Sequence, residues 1–239
     1  MRLDKLLSES GYGSRKDVKK VLKKGRITVD GHVVKDGKVK VDPSRQTIFN
    51  GNTCVKYQQH VYLMLNKPSG VISATEDPKQ QTVIDLIAAE WGHKKMFPIG
   101  RLDKDTTGLL LLTTDGTYAH ALMAPKRHVA KRYRAVIAGE VGENERKQFA
   151  EGILLGDGYM TRPSSLSIIE SGPKSVIELV LTEGKFHQVK RMFAACGKQV
   201  IALERTHIGE LALDLALASG AYRELTEEEK HLAVSSAKT

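Results

Sequence analysis

The feature that most constrains the fold is a series of apolar, strand-like segments spread unevenly along the last three quarters of the chain. They are Val61–Leu65, Leu109–Leu112, Lys131–Ala138, Val176–Leu181 and Val200–Ile208. A parallel sheet needs a crossover of a dozen or more residues, usually a helix, between each pair of successive strands. Helical patterns fall only at about 82–90, Glu143–Ile153 and 187–196, with a short one after Thr114-Asp115-Gly116. Strand segments dominate over these helices and are read as lying in hairpin or crossed order, so the expected class is α+β with a mostly antiparallel mixed sheet and flanking helices.

Charge divides the chain. The 239 residues carry 37 Lys/Arg against 28 Asp/Glu, a net +9. Residues 1–59 hold 14 Lys/Arg against 6 Asp/Glu, or +8, which leaves +1 for the remainder. This asymmetry predicts a polyanion-binding module at 1–59, a linker at about 56–60, and a nearly neutral body at 60–239. No stretch approaches the roughly 18 consecutive apolar residues of a membrane span. The start, Met1-Arg2-Leu3-Asp4-Lys5, has no apolar signal core. Cys54 and Cys196 are too few for a disulfide framework or a four-ligand zinc site. A cytoplasmic, monomeric protein without a membrane partner is expected.

In the basic module, Ser14 is a helix N-cap and Asp17 completes a capping box. Val18, Val21 and Leu22 make an apolar stripe, and Gly25 stands where a helix-ending glycine belongs. Arg15, Lys16, Lys19, Lys20, Lys23 and Lys24 cover the rest of this short helix. Their mutual repulsion is relieved by phosphates, whose neutralisation releases counterions. Asp30-Gly31 between Ile27-Thr28-Val29 and Val33-Val34 signals a hairpin. Val39 and Val41 predict a further strand, ended by Asp42-Pro43. Arg2-Leu3-Asp4-Lys5-Leu6-Leu7, Ser14-Arg15 and Gly25-Arg26-Ile27-Thr28-Val29-Asp30-Gly31 together resemble the S4 RNA-binding domain. The resemblance implies recognition of folded ribosomal RNA by shape and backbone, with Arg2 and Arg26 joining the helix cations.

The most specific segment of the body runs Phe97-Pro98-Ile99-Gly100-Arg101-Leu102-Asp103-Lys104-Asp105-Thr106-Thr107-Gly108 and leads into Leu109–Leu112. A lone Asp in a glycine-containing loop is ordinarily a turn or cap residue. Asp103 is set apart by its company. The run from Gly100 to Thr113 resembles the motif of the RsuA-type ribosomal RNA pseudouridine synthases. Three more segments agree in the same order: Asn66-Lys67-Pro68-Ser69-Gly70, Lys131-Arg132-Tyr133, and Glu183-Gly184-Lys185-Phe186-His187-Gln188-Val189-Lys190-Arg191-Met192-Phe193.

With the S4-like module in front, the resemblance covers nearly the whole chain and implies the pseudouridine synthase fold. It implies Asp103 as nucleophile, Tyr133 as a catalytic residue that stacks on the target uracil and helps proton transfer at C5, and Leu203 as the opposite wall. Arg191 is the implied cationic partner of Asp103, its planar fork suiting a carboxylate. Arg101, Lys67, Lys131, His187 and Gln188 are implied substrate contacts. Breaking the ribose–N1 bond of a uridine and remaking it to C5 needs a carboxylate but neither redox chemistry nor an energy source. No nucleotide-binding loop and no metal-ligand spacing stands in the sequence, so no cofactor and no metal are expected.

Three functions are weighed. The form Asp105-Thr106-Thr107-Gly108 favours modification of 16S (small-subunit) ribosomal RNA, either as RNA or in a small-subunit assembly intermediate. A second reading is modification of 23S ribosomal RNA. A third, of another class, is a non-catalytic ribosomal-RNA-binding or assembly protein, against which the set Asp103, Tyr133 and Arg191 argues.

Overall fold

A computed structural model describes residues 1–124 and 127–235. It divides into two compact units: Met1–Val61 together with Ile87–Met96, and Tyr62–Leu86 together with Phe97–Thr239. The placement of Ile87–Met96 in the first unit has no counterpart in the sequence reading.

The first unit begins with helices α1 (Leu3–Glu9) and α2 (Arg15–Lys23). The Ser14 hydroxyl oxygen accepts from the Asp17 amide at 3.3 Å, and Gly25 takes φ +68° just past the helix end. Val18 and Leu22 are buried while every Lys and Arg of the helix is exposed. Strands β1 (Ile27–Val29) and β2 (His32–Val33) form the expected hairpin, with Asp30 and Gly31 both at positive φ. Two successive residues of that kind match the right-handed twist of the strands. Strands β3 (Ile48–Asn50) and β4 (Thr53–Cys54) complete a sheet of order β2-β1-β3-β4. The expected strand at Val39–Val41 is absent, reduced to one bridge between Arg2 and Lys40. The main chain of the valines bonds instead to the start of the chain, the Leu3 amide donating to the Val39 carbonyl at 2.9 Å and the Val41 amide to the Met1 carbonyl at 2.7 Å. Leu3, Leu6, Leu7, Val18, Leu22, Ile27 and Ile48 are among the residues of this unit's own core.

The second unit opens with β5 (Tyr62–Lys67). The helix expected at about 82–90 is shorter, a 3₁₀ turn at Asp85–Ile87 continued by α3 (Ala88–Trp91), whose residues belong to the first unit. Thr82 does cap it, its hydroxyl oxygen accepting from the Asp85 amide at 3.2 Å. Backbone bonds between Ile72 and both Gln81 and Val83 hold the preceding residues extended, which delays the helix. There follow β6 (Phe97–Ile99), β7 (Thr107–Thr113), α4 (Gly116–Met123), β8 (Lys131–Ala138) and α5 (Glu143–Glu151). The chain continues through β9 (Ser165–Glu170), β10 (Lys174–Leu181), α6 (Gln188–Ala195) and β11 (Gln199–Ile208). It closes with β12 (Leu211–Ala212), β13 (Tyr222–Glu224) and α7 (Glu227–Val234).

These strands make one sheet of order β13-β5-β7-β11-β8-β10-β9, with β6 added to β7 and β12 to β11. Among the described strands only β7 and β11 pair in parallel, so the chain is α+β with a mostly antiparallel sheet. Leu109, Leu110, Leu111 and Leu112 of β7 are all fully buried, so both faces of the sheet are covered there. Each such leucine contributes about 1.5–3 kcal/mol of burial. The parallel pair depends on Gly108, which has φ +97°, and whose added Cβ would lie 2.4 Å from the Arg205 carbonyl oxygen. No other residue fits that approach.

Candidate active site

Three pieces of the second unit meet around Asp103. The first is the loop from Gly100 to Thr106, between β6 and β7. Gly100 has φ +74°, and the loop is then held from beneath. Lys67, at the end of β5, is fully buried and donates from Nζ to the carbonyls of Pro68 (2.9 Å), Lys104 (3.2 Å) and Thr106 (2.9 Å). The Gly70 amide donates to the Lys104 carbonyl at 2.8 Å. The Ser73 hydroxyl donates to the Leu102 carbonyl at 2.9 Å and accepts from its amide at 3.1 Å. Burial pushes the Lys67 ammonium down to about 8, against the opposing pull of Asp105 and Asp103. Lys67 is thus a clamp on the loop and not the substrate contact expected, since its ammonium is wholly engaged by main-chain oxygens.

The second piece is the start of α6. His187, at φ +49°, lies just before the helix, and Gln188 folds the approach to it. The Gln188 side-chain oxygen accepts from the Lys185 amide at 2.7 Å, and its nitrogen donates to Glu183 at 2.6 Å. His187 Nε2 lies 3.5 Å from one Asp103 carboxylate oxygen, and Lys190 Nζ lies 3.6 Å from the other. Lys190 also donates to Asp105 at 2.5 Å and holds that carboxyl below the usual range. The expected pairing of Asp103 with Arg191 is not found. Arg191 instead pairs with Asp157 at 2.6 Å and donates to the Phe186 carbonyl at 3.3 Å. Successive helix side chains are separated by about 100°. Val189, Met192 and Phe193 face the core, and only Lys190 of the two adjacent cations is left facing the loop.

The third piece is the pair β8–β11. Tyr133 and Leu203 are buried walls of a cavity of about 470 Å³ whose lining also includes Asp103 and Arg101. His187, Gln188 and Lys131 line it too, whereas Lys67 and Arg191 do not. Two residues of this site were not read from the sequence as site residues. Lys190 looked like one cation among several in its segment, and Arg205 followed Leu203 in a strand whose facing was unknown. Arg205 is buried opposite Tyr133 in the β8–β11 register and donates from Nε to the Leu109 carbonyl at 2.8 Å. Lys131 donates to the Val129 carbonyl at 3.2 Å, and burial, aided by the Arg205 charge, pushes it down to about 8. Near the rim, exposed Phe186 stacks on His187 with ring centroids 3.8 Å apart. Among the described residues no group of three or more His, Cys, Asp or Glu side chains is placed to hold a metal ion.

In the first unit, Arg15, Lys16, Lys19, Lys20, Lys23, Lys24 and Arg26 are exposed, as is Arg2, which pairs with Asp4 at 2.6 Å. Among the described residues no helix is long and apolar enough to cross a membrane.

Known proteins match both units. The RNA pseudouridylate synthase family model covers residues 61–195, and the S4 domain model covers residues 1–46. An uncharacterized RNA pseudouridine synthase of Bacillus subtilis (strain 168) is 49% identical over 97% of this chain and 98% of its own. The ribosomal small subunit pseudouridine synthase A of Yersinia pestis is 43% identical over 96% of each. A crystal structure of a pseudouridylate synthase superposes with a TM-score of 0.68 at 36% identity, covering 98% of this chain and 99% of that one. Sequence, fold and the carboxylate-bearing cavity agree: the chain belongs to the RNA pseudouridylate synthase family and carries an N-terminal S4 domain.

Proposed function

We propose that this enzyme isomerises one uridine of 16S (small-subunit) ribosomal RNA to pseudouridine in the cytoplasm, with Asp103 as nucleophile and no cofactor. The observation that carries this reading is the Asp103 carboxylate, which lines a cavity with Tyr133 and Leu203 among its walls and lies near His187 and Lys190. A base taken out of its stack fits between such walls. Lys190 sets a positive charge 3.6 Å from that carboxylate. The likeness to small-subunit synthases supports the choice of substrate. Residues 1–59 dock the RNA through Arg2, Arg26 and the cations of α2, and residues 60–239 carry the chemistry in a monomer.

Two experiments test the reading. Mapping pseudouridines in ribosomal RNA from cells with and without the protein should show one 16S site lost in its absence. A missing 23S site would move the substrate to the large subunit, and an unchanged map would sink the enzymatic reading. In vitro, Asp103→Asn keeps size and polarity but removes the anion. Tritium release from 5-tritiated uridine should vanish while RNA binding persists. Release near the wild-type rate would remove Asp103 from the mechanism.

A further inference from the structure

We infer that Lys131 and Arg205 form a cationic seat for the uracil ring that holds the negative charge the ring acquires during the reaction. The inference rests on the pseudouridylation proposed above and adds a role for Arg205. Both residues line the cavity that contains Asp103. Arg205 is 2% exposed, and its Nη2 is buried without a hydrogen-bond partner among the described residues. Its one side-chain bond goes to the Leu109 carbonyl, and that of Lys131 goes to the Val129 carbonyl. Neither cation has an ion-pair partner among the carboxylates of the described residues. Burying one uncompensated cation is costly, and two close enough to repel are costlier. The depressed titration of Lys131 reports that tension. An anion bound between them relieves it. Tyr133 stands opposite Arg205 in the strand register and Leu203 lies two residues before it, so the seat has flat apolar walls. Such walls suit a planar ring whose charge is spread over carbonyl oxygens, and do not suit a strongly hydrated phosphate.

The chemistry supplies that anion. When the C1′–N1 bond breaks, its electron pair stays on uracil, spread over N1, O2 and O4. Asp103 compensates the electron-poor C1′ by bonding to it or by taking the C2′ proton. If the carboxylate instead adds to ring C6, the C5=C6 electrons move onto C5 and O4. In either course the C1′–N1 bond is broken and C5 bonds to C1′, while Asp103 leaves the C1′ or C6 it holds, or returns the proton to C2′. The C5 hydrogen then leaves as a proton, and N1 gains one. Composition and charge balance, and the ring is anionic in between. Fixed cations at that charge act as preorganised electrostatic stabilisation.

The test uses the full-length protein with Arg205→Gln and Lys131→Met. Each substitution should lower kcat on the order of 10²-fold with KM for the RNA fragment changed less than about threefold. In competition assays 5-nitrouracil, ionised at neutral pH, should inhibit the wild type at least about tenfold better than neutral uracil. Each variant should lose that preference. If Arg205→Gln fails to fold, Lys131→Met alone decides. Equal inhibition of the wild type by the two bases overturns the seat, as does a preference retained in a soluble variant. Inhibition by inorganic phosphate as strong as by 5-nitrouracil does the same, marking a phosphate site. Because inhibitor preference is read separately from product, a chain that binds the anion but forms no pseudouridine would fault the proposed function and not the seat.

Discussion

Lys190 and Arg191 are neighbours in sequence, yet they reach different carboxylates. Lys190 bridges Asp103 and Asp105, whereas Arg191 pairs with Asp157, whose side chain is 57% exposed. An exposed ion pair is worth less than about 1 kcal/mol. Arg191, at 29% exposure, also holds the Phe186 carbonyl, so Arg191→Ala should cost about 1 kcal/mol of stability and leave activity nearly unchanged. Lys190→Met removes a fixed cation beside the proposed nucleophile Asp103 and should lower the single-turnover rate on the order of 10²-fold. The reverse ranking of these two variants would refute the assigned pairing. Lys67 allows a prediction on pH. Its ammonium titrates at about 8 in the fold because burial opposes the charge. An unfolded lysine titrates near about 10.4. Between those values the unfolded chain keeps a proton that the folded chain has released, so stability rises with pH across that window. Below it both states are protonated and the slope vanishes. Lys67→Met should flatten the rise in unfolding free energy measured by denaturant titration from pH 8 to about 10.4. It should also cost about 1–3 kcal/mol at neutral pH, because buried carbonyls of the Asp103 loop lose their donor. A slope identical to the wild type would mean that Lys67 does not titrate there.

Among the elements, α2 was the most fully readable, because its cap, its buried stripe and its charges are all local. Its exposed lysines carry no packing, so Lys19, Lys20, Lys23 and Lys24 can be changed to Gln together without unfolding the unit. RNA affinity should fall, and the slope of log K against log salt should become shallower by about 0.7–0.9 for each phosphate no longer neutralised. An unchanged slope in a salt titration would show that this helix does not dock the RNA. Substitution is the cleaner test, since truncating residues 1–59 would strip neighbours from Ile87–Met96. Within that unit Lys94 donates to the Gln58 carbonyl and lies over the Tyr57 ring. The elements least readable were those fixed by partners. Val39–Val41 has strand alternation but bonds to Met1 and Leu3 instead of joining the sheet, and the residues before Asp85 are held extended by Ile72. β9 was missed because Ile168-Ile169 breaks its alternation and only Leu166 of its six residues is buried, as suits a strand at the sheet edge.

For the whole molecule, the Asp103 and Asp105 carboxylates already face a lysine, which leaves poor ground for a divalent cation. Protein dialysed exhaustively against a chelator should keep full activity in the tritium-release assay. A loss restored by one particular metal would contradict the mechanism. The class of the fold followed from the sequence because strand segments outweigh helical ones and the motifs along the chain resemble one fold family. The charge division between the ends of the chain was equally legible, since net charge needs no coordinates. So was the Asp103 loop, whose motif is continuous over a dozen residues. The partners of Asp103 were not legible. Whether Lys190 or Arg191 faces the loop depends on which side of α6 is buried. The roles of Lys67 and Arg205 depend on carbonyls and walls contributed by strands distant in sequence. Residue identity and local spacing decide what a segment can form, but which side chain meets which across a sheet is set by packing, and only the tertiary structure contains that.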